Sequence, residues 1–187
     1  MHFTSQAPLL AWRLFRVRAD AHGPVLASPM IHDPDPPPWE HATYSAACIE
    51  EAHPAPAAGC RCGIYAAVEG TLDSLPGYLL DNAHDEDPWA YAEVACTGRV
   101  FVDMRGVRAE RAEVVRIALA EELWPDGDAL AEAKRALAKR YGVPVGGLTA
   151  APEWLTRNLP GETPIRADGR YGPPPDDAVL DLDSLQL

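Results

Sequence analysis

Three cysteines and a histidine, Cys48, His53, Cys60 and Cys62, fall within fifteen residues of a chain that has only four cysteines. Thiolate sulfur and imidazole nitrogen are soft to borderline donors, and Cys3His is a standard tetrahedral set for structural Zn2+. Thiols must lose their protons to bind, and the cation supplies the free energy for that step. Gly59 and Gly63 flank Cys60-Arg61-Cys62, so the backbone is free to turn two ligands, one residue apart, onto one ion. Pro54 and Pro56 stiffen the loop and lower the entropy lost on closing it. The Cys-x-Cys pair is tighter than the separation of about two to four residues found in most zinc motifs. These residues lead us to expect one compact metal site with ligands Cys48, His53, Cys60 and Cys62 and zinc as the cofactor.

Four other fates compete for the same sulfurs. A disulfide from Cys48 to Cys60 or Cys62 would close a short loop. The thiols would also pack as small hydrophobes without metal. A nucleophilic or redox thiol at Cys60 or Cys62, its pKa lowered by His53 or Arg61, would make the protein a thiol-dependent enzyme. An iron–sulfur cluster would require Cys96 as fourth ligand.

Little else in the chain is chemically suggestive. There is no glycine-rich phosphate loop, dinucleotide fingerprint or Gly-x-Ser-x-Gly elbow. His32-Asp33 and His84-Asp85 are isolated loop pairs, and Asp81, Asp85, Glu86 and Asp87 lack the spacing of a calcium loop. Arg105, Arg108 and Arg111, interleaved with Glu110 and Glu113, read as a salt-bridged surface.

The elements that position the cysteine loop belong to a chain of 187 residues, 47% hydrophobic, long enough for one domain with appendages. Its formal charge is −12, from 28 acidic and 16 basic residues. Such a surface repels phosphate, so direct binding to nucleic acid or an anionic membrane is disfavoured, and a basic protein is the easier partner. A nucleic-acid-mimicking inhibitor would be acidic in the same way. No apolar stretch has the length to cross a bilayer. The opening residues lack a basic n-region, and Arg13 interrupts the first apolar run. The expected location is cytoplasmic, where thiols stay reduced.

Along the chain, residues 9–17 alternate as a strand, and residues 25–30 return after the Ala21-His22-Gly23-Pro24 turn. Residues 64–68 read as a short buried strand, residues 72–80 as a helical turn or two, and residues 91–104 as the strongest strand. Residues 107–112 pair back after Arg105-Gly106. Residues 113–122 mix strand and helix signals, with strand favoured first. Residues 128–141 carry a helical stripe of Leu130, Ala133, Leu137 and Tyr141, capped by Asp126 or Asp128 and stopped by Gly142 and Pro144. Trp39, Trp89, Trp124 and Trp154 lie in expected loops, where exposed aromatics would anchor an interface, although packing under those loops is the commoner fate.

Trp12, Cys48, His53-Pro54-Ala55-Pro56, Cys60-Arg61-Cys62-Gly63-Ile64-Tyr65-Ala66, Gly98-Arg99-Val100, the run from Gly106 to Ala112 and the run from Tyr141 to Val145 together form a pattern. In these residues the chain resembles an uncharacterised family of actinobacterial and actinophage proteins. The resemblance covers residues 9–145 and implies a shared fold and a shared Cys-x-Cys loop, but no activity. Asp103-Met104 departs from the apolar-aromatic pair expected of that family.

The combined expectation is an α+β domain over residues 1–159, with its Cys-rich loop at 48–63. Its sheet is antiparallel, open or closed into a barrel, with one clear C-terminal helix. Residues 160–187 form an acidic, proline-containing tail. The expected function is a non-enzymatic, metal-stapled protein-interaction or regulatory module.

Overall fold

The structure, a computed structural model, describes residues 2–29, 37–68, 88–103 and 106–148. The chain runs through β1 (His2–Asp20), β2 (Gly23–Ala27), β3 (Thr43–Ser45), β4 (Ile64–Ala66), β5 (Trp89–Asp103), β6 (Gly106–Ala120), a 3-10 turn (Glu121–Leu123), α1 (Gly127–Tyr141) and β7 (Val145–Leu148). The expected acidic tail, the 72–80 segment, the 81–87 acidic loop, His32-Asp33 and Trp154 all lie outside the described residues.

The fold is α+β, built on an antiparallel sheet in the order β2-β1-β5-β6-β3. Every pair on that path is antiparallel, and β7 adds a parallel pair along β6. The sheet does not close into a barrel. Across the gap, Trp12 on β1 and Ala67 just past β4 exchange two backbone hydrogen bonds of 2.7 Å, and the Arg13 guanidinium donates to the Tyr65 carbonyl.

Alternation explains the core. On β1, Ala11 and Phe15 face inward opposite Val94 and Ala90 of β5, with Ala92 buried between those two opposite Arg13, and Val17 continues the inward face. The other face of the same ladder is also covered, since the cross-strand pairs Leu14/Tyr91 and Arg16/Trp89 are buried. On β6 the alternation is interrupted twice. One register shift leaves Val115 as an extra residue on β6 and the other sets Gly98-Arg99 of β5 against the single residue Glu110, so Val107 and Ala109, then Ala112 and Val114, then Ile117 and Leu119 all reach the core. Gly106, at φ 124°, opens β6 where a Cβ would lie 2.4 Å from the Ala66 carbonyl oxygen, so only glycine fits the crossing of the hairpin over β4.

The helix forms as its sequence dictates. Asp126 caps it by accepting from the Ala129 N–H at 2.7 Å, and Gly142 ends it at φ 68°. Ala133, Leu137 and Tyr141 are buried, and Leu130 packs at the margin of the core. The Tyr141 hydroxyl donates to the Trp39 carbonyl at 2.6 Å and accepts from the Leu26 N–H at 2.8 Å. Trp39 itself stacks on Tyr44 at 4.8 Å and meets Phe15 edge-on at 4.9 Å. Of the two fates open to these tryptophans, Trp39 and Trp89 take packing over interface anchoring: they are 2% and 8% exposed and serve the interior, Trp89 from β5 and not from a loop. No helix among the described residues is long and apolar enough to cross a membrane.

Two tests follow from this packing. Tyr141→Phe strands two buried backbone groups and is expected to lower unfolding stability by about 1–3 kcal/mol in chemical denaturation. Asp20 is held down to about 2, first by the Arg140 guanidinium and then by the His22 N–H. A depressed carboxyl pKa means that the ion pair's contribution is present above the ordinary value of 3.8 and lost as pH falls toward 2. A carboxyl NMR titration should place the Asp20 midpoint near 2 and move it back toward the ordinary value in Arg140→Gln.

Candidate metal centre

Topology brings the donors together. β3 and β4 lie end to end along the outer edge of β6, with Ser45 opposite Arg111 and Ile64 opposite Ala109. Residues 46–63 therefore leave and rejoin one edge at positions two residues apart on β6, a gap of about 7 Å at strand rise. The excursion is an Ω-type loop with its ends pinned by the sheet. Cys48 follows three residues after the end of β3, and Cys62 precedes β4 by two. Inside the loop Ala47 bridges Pro54, and Ala55 and Pro56, joined by a cis peptide, are buried. The Cys60 N–H donates to the Ala57 carbonyl at 3.3 Å.

One ligand atom from each of Cys48, His53, Cys60 and Cys62 lies within 4.8 Å of the others. The structure thus brings all four expected ligands into one cluster able to hold a metal ion. The Cys48 and Cys60 sulfurs are 3.7 Å apart. Zn–S bonds of about 2.3 Å in a tetrahedron place sulfurs about 3.8 Å apart, so this edge already has the length of a filled site. Cys62 Sγ stands 4.0 Å from His53 Nδ1. His53 Nδ1 also faces the Pro54 carbonyl at 3.2 Å, while Nε2 is sealed from solvent without a hydrogen-bond partner, 3.7 Å from Glu51 Oε2. Nδ1 is thus the ring nitrogen that faces a thiol, and with it as ligand the Glu51 carboxylate is the near acceptor for the Nε2 proton. All four residues are half-buried, and an open depression of about 440 Å³ lined by Glu50, Glu51, His53 and residues 57–61 leads to them from solvent.

The electrostatics of the three sulfurs differ. Burial opposes ionisation of Cys48, but the Glu51 and Glu50 N–H groups and then the neighbouring thiols outweigh it, leaving its pKa below the ordinary value. Cys62 is pushed up, chiefly by burial and further by Cys60, which counts against it as a free nucleophile. Cys96 is elsewhere: it sits in β5 opposite Ala112, fully buried, and burial pushes it up to about 12. It is not among the converging atoms, so the cluster alternative that needs it as a ligand is set aside. All four cysteines are unpaired, and a disulfide bond would require the 3.7 Å Cys48–Cys60 separation to shrink to about 2.05 Å.

Two side chains that sequence reasoning left out attach this loop to the sheet. Arg108 on β6, read from sequence as part of a salt-bridged surface, donates through Nη1 to the Cys60 carbonyl and, at 3.4 Å, to the Cys62 carbonyl. The Tyr65 hydroxyl on β4 donates to the Arg61 carbonyl at 2.5 Å. The sequence signal for Tyr65 was its place three residues past Cys62; Arg108 had none, since only the folded ladder sets it opposite Tyr65. Arg111 is exposed, and Arg105 lies outside the described residues.

In chelator-treated native protein, a thiol reagent is expected to modify Cys48, Cys60 and Cys62 while Cys96 reacts only on unfolding. Peptide mass spectrometry reads the order, and early Cys96 labelling would contradict this packing. No protein-family profile, curated protein or solved structure matches the chain.

Proposed function

We propose that the protein is a non-enzymatic module in which Cys48, His53, Cys60 and Cys62 bind one zinc ion, and that the ion fastens the 46–63 loop as a contact surface for a partner protein. The observation that carries this reading is the convergence of three sulfurs and an imidazole within 4.8 Å. The donor chemistry favours zinc, because soft thiolates with one imidazole suit a d10 ion in a closed tetrahedral site. Four protein ligands leave no open position for a substrate, which favours structure over catalysis. The loop also carries Ile49, 76% exposed beside the ligand Cys48, with Glu50 and Glu51 exposed after it. An apolar tip with acidic flanks suits a basic protein partner and repels phosphate.

Metal has a clear energetic role here. A loop of eighteen residues rich in alanine, proline and glycine has few apolar groups to order it. Ligation supplies the ordering free energy and stabilises the native chain by mass action.

Elemental analysis of protein purified without chelator is expected to find about one zinc per chain. Single Cys→Ser changes at positions 48, 60 or 62 should each remove most of it, whereas Cys96→Ser should not. Rapid modification of Cys60 or Cys62 at neutral pH in protein that holds no zinc and takes up none would overturn the proposal in favour of a thiol-dependent enzyme.

A further inference from the structure

We infer that Arg108 and Tyr65 are positioning residues of the metal site, holding the Cys60-Arg61-Cys62 turn in the shape that lets both thiolates reach one ion. The inference rests on the metal reading above and adds the means by which the sheet shapes the ligands. The difficulty it resolves is geometric. In extended backbone, side chains two residues apart point the same way but stand about 6.6 Å from each other, whereas two sulfurs on one zinc stand about 3.8 Å apart. A Cys-x-Cys pair must therefore be bent, and the bend must be held.

The bend is held at every carbonyl of the turn. Arg108 Nη1 takes those of Cys60 and Cys62, and the Tyr65 hydroxyl takes that of Arg61 at 2.5 Å. Arg108 is itself fixed. In the ladder it lies directly between Tyr65 of β4 and Phe101 of β5, and its guanidinium stands 5.9 Å and 5.2 Å from their ring centres. The chain is also pressed close to it. At Gly63, φ 125°, a Cβ would meet Pro56 Cβ at 3.1 Å and Arg108 Cβ at 3.4 Å. Charge favours the same arrangement. Three thiolates about Zn2+ leave a formal charge of about −1, and a guanidinium bonded to two ligand residues' carbonyls offsets it. Outer groups that orient ligands commonly contribute a factor of about 10 to 100 in metal affinity.

The test uses the full chain with Tyr65→Phe, which removes one hydroxyl, and Arg108→Lys, which keeps the charge and loses the planar fork. Zinc affinity is read by competition with a chromophoric chelator, site geometry by the visible spectrum of the cobalt-loaded protein, and fold stability by chemical denaturation after chelation. The expected result is a loss of about 10-fold to 100-fold in zinc affinity for each variant. The cobalt bands should also shift, while the metal-free protein unfolds as the parent does. Parent-like affinity and an unchanged spectrum in both variants would overturn the inference and leave the zinc site standing. So would an affinity loss matched by an equal loss of metal-free stability, which is what a merely structural role produces. A parent protein that takes up neither zinc nor cobalt would overturn the inference together with the proposed function.

Discussion

The outer edge of β6 organises this molecule. One face of its backbone hydrogen bonds is spent on β5, in a hairpin that supplies half of the core among the described residues. The other is divided among three short strands laid end to end: β4 near its start, β3 in the middle and β7 at its close. Unpaired strand edges are unstable in water and invite association. Covering one long edge with three unrelated segments draws distant parts of the chain together. The cysteine loop is a direct product of that arrangement, because the segments entering and leaving it are neighbours on the same edge.

The sheet and the loop depend on opposite physics. The sheet is held by alternating apolar side chains, with Phe15, Leu26, Val94, Ile117 and Leu137 almost without exposure, and by the ladder itself. The loop has small and stiff residues and little apolar surface to bury. Its order comes from polar contacts: backbone carbonyls taken by Arg108, Tyr65 and, at Pro56, by Arg99 at 3.3 Å. Four donors then face one point. Arg13 of β1 extends the same habit, donating to the Tyr65 carbonyl and lying 5.2 Å from the Phe15 ring centre.

Much of this was legible in the sequence where the signal was local. The helix boundaries followed from Asp126 and Gly142, and the β5–β6 hairpin from Arg105-Gly106 between alternating runs. The donor set followed from residue type alone. What resisted reading was non-local. Residues 113–122 looked ambiguous because β-branched Val114, Val115 and Ile117 precede the helix-favouring run from Ala118 to Glu122, and the bulge at Val115, which shifts the inward face, has no sequence signature; the second bulge carries one in Gly98, at φ 77°. β3 and β7 are three and four residues long and exist because β6 offers an edge to pair with. Trp39 looked like a loop residue and is one, but its ring lies between Phe15 and Tyr44. Arg108 gave no sign of its role, since only the folded ladder sets it under the Cys60–Cys62 turn.

The two-residue spacing between the loop's anchor points on β6 has a further meaning. β3 and β4 run in the same direction, so joining Ser45 to Ile64 through one residue opposite Glu110 in place of residues 46–63 would leave the β3, β4 and β6 ladders intact. The cysteine-bearing segment is thus an insert in what would otherwise be one continuous edge strand. A graft of this segment onto another sheet would carry its sulfurs and imidazole but leave behind the arginine and tyrosine that hold its carbonyls.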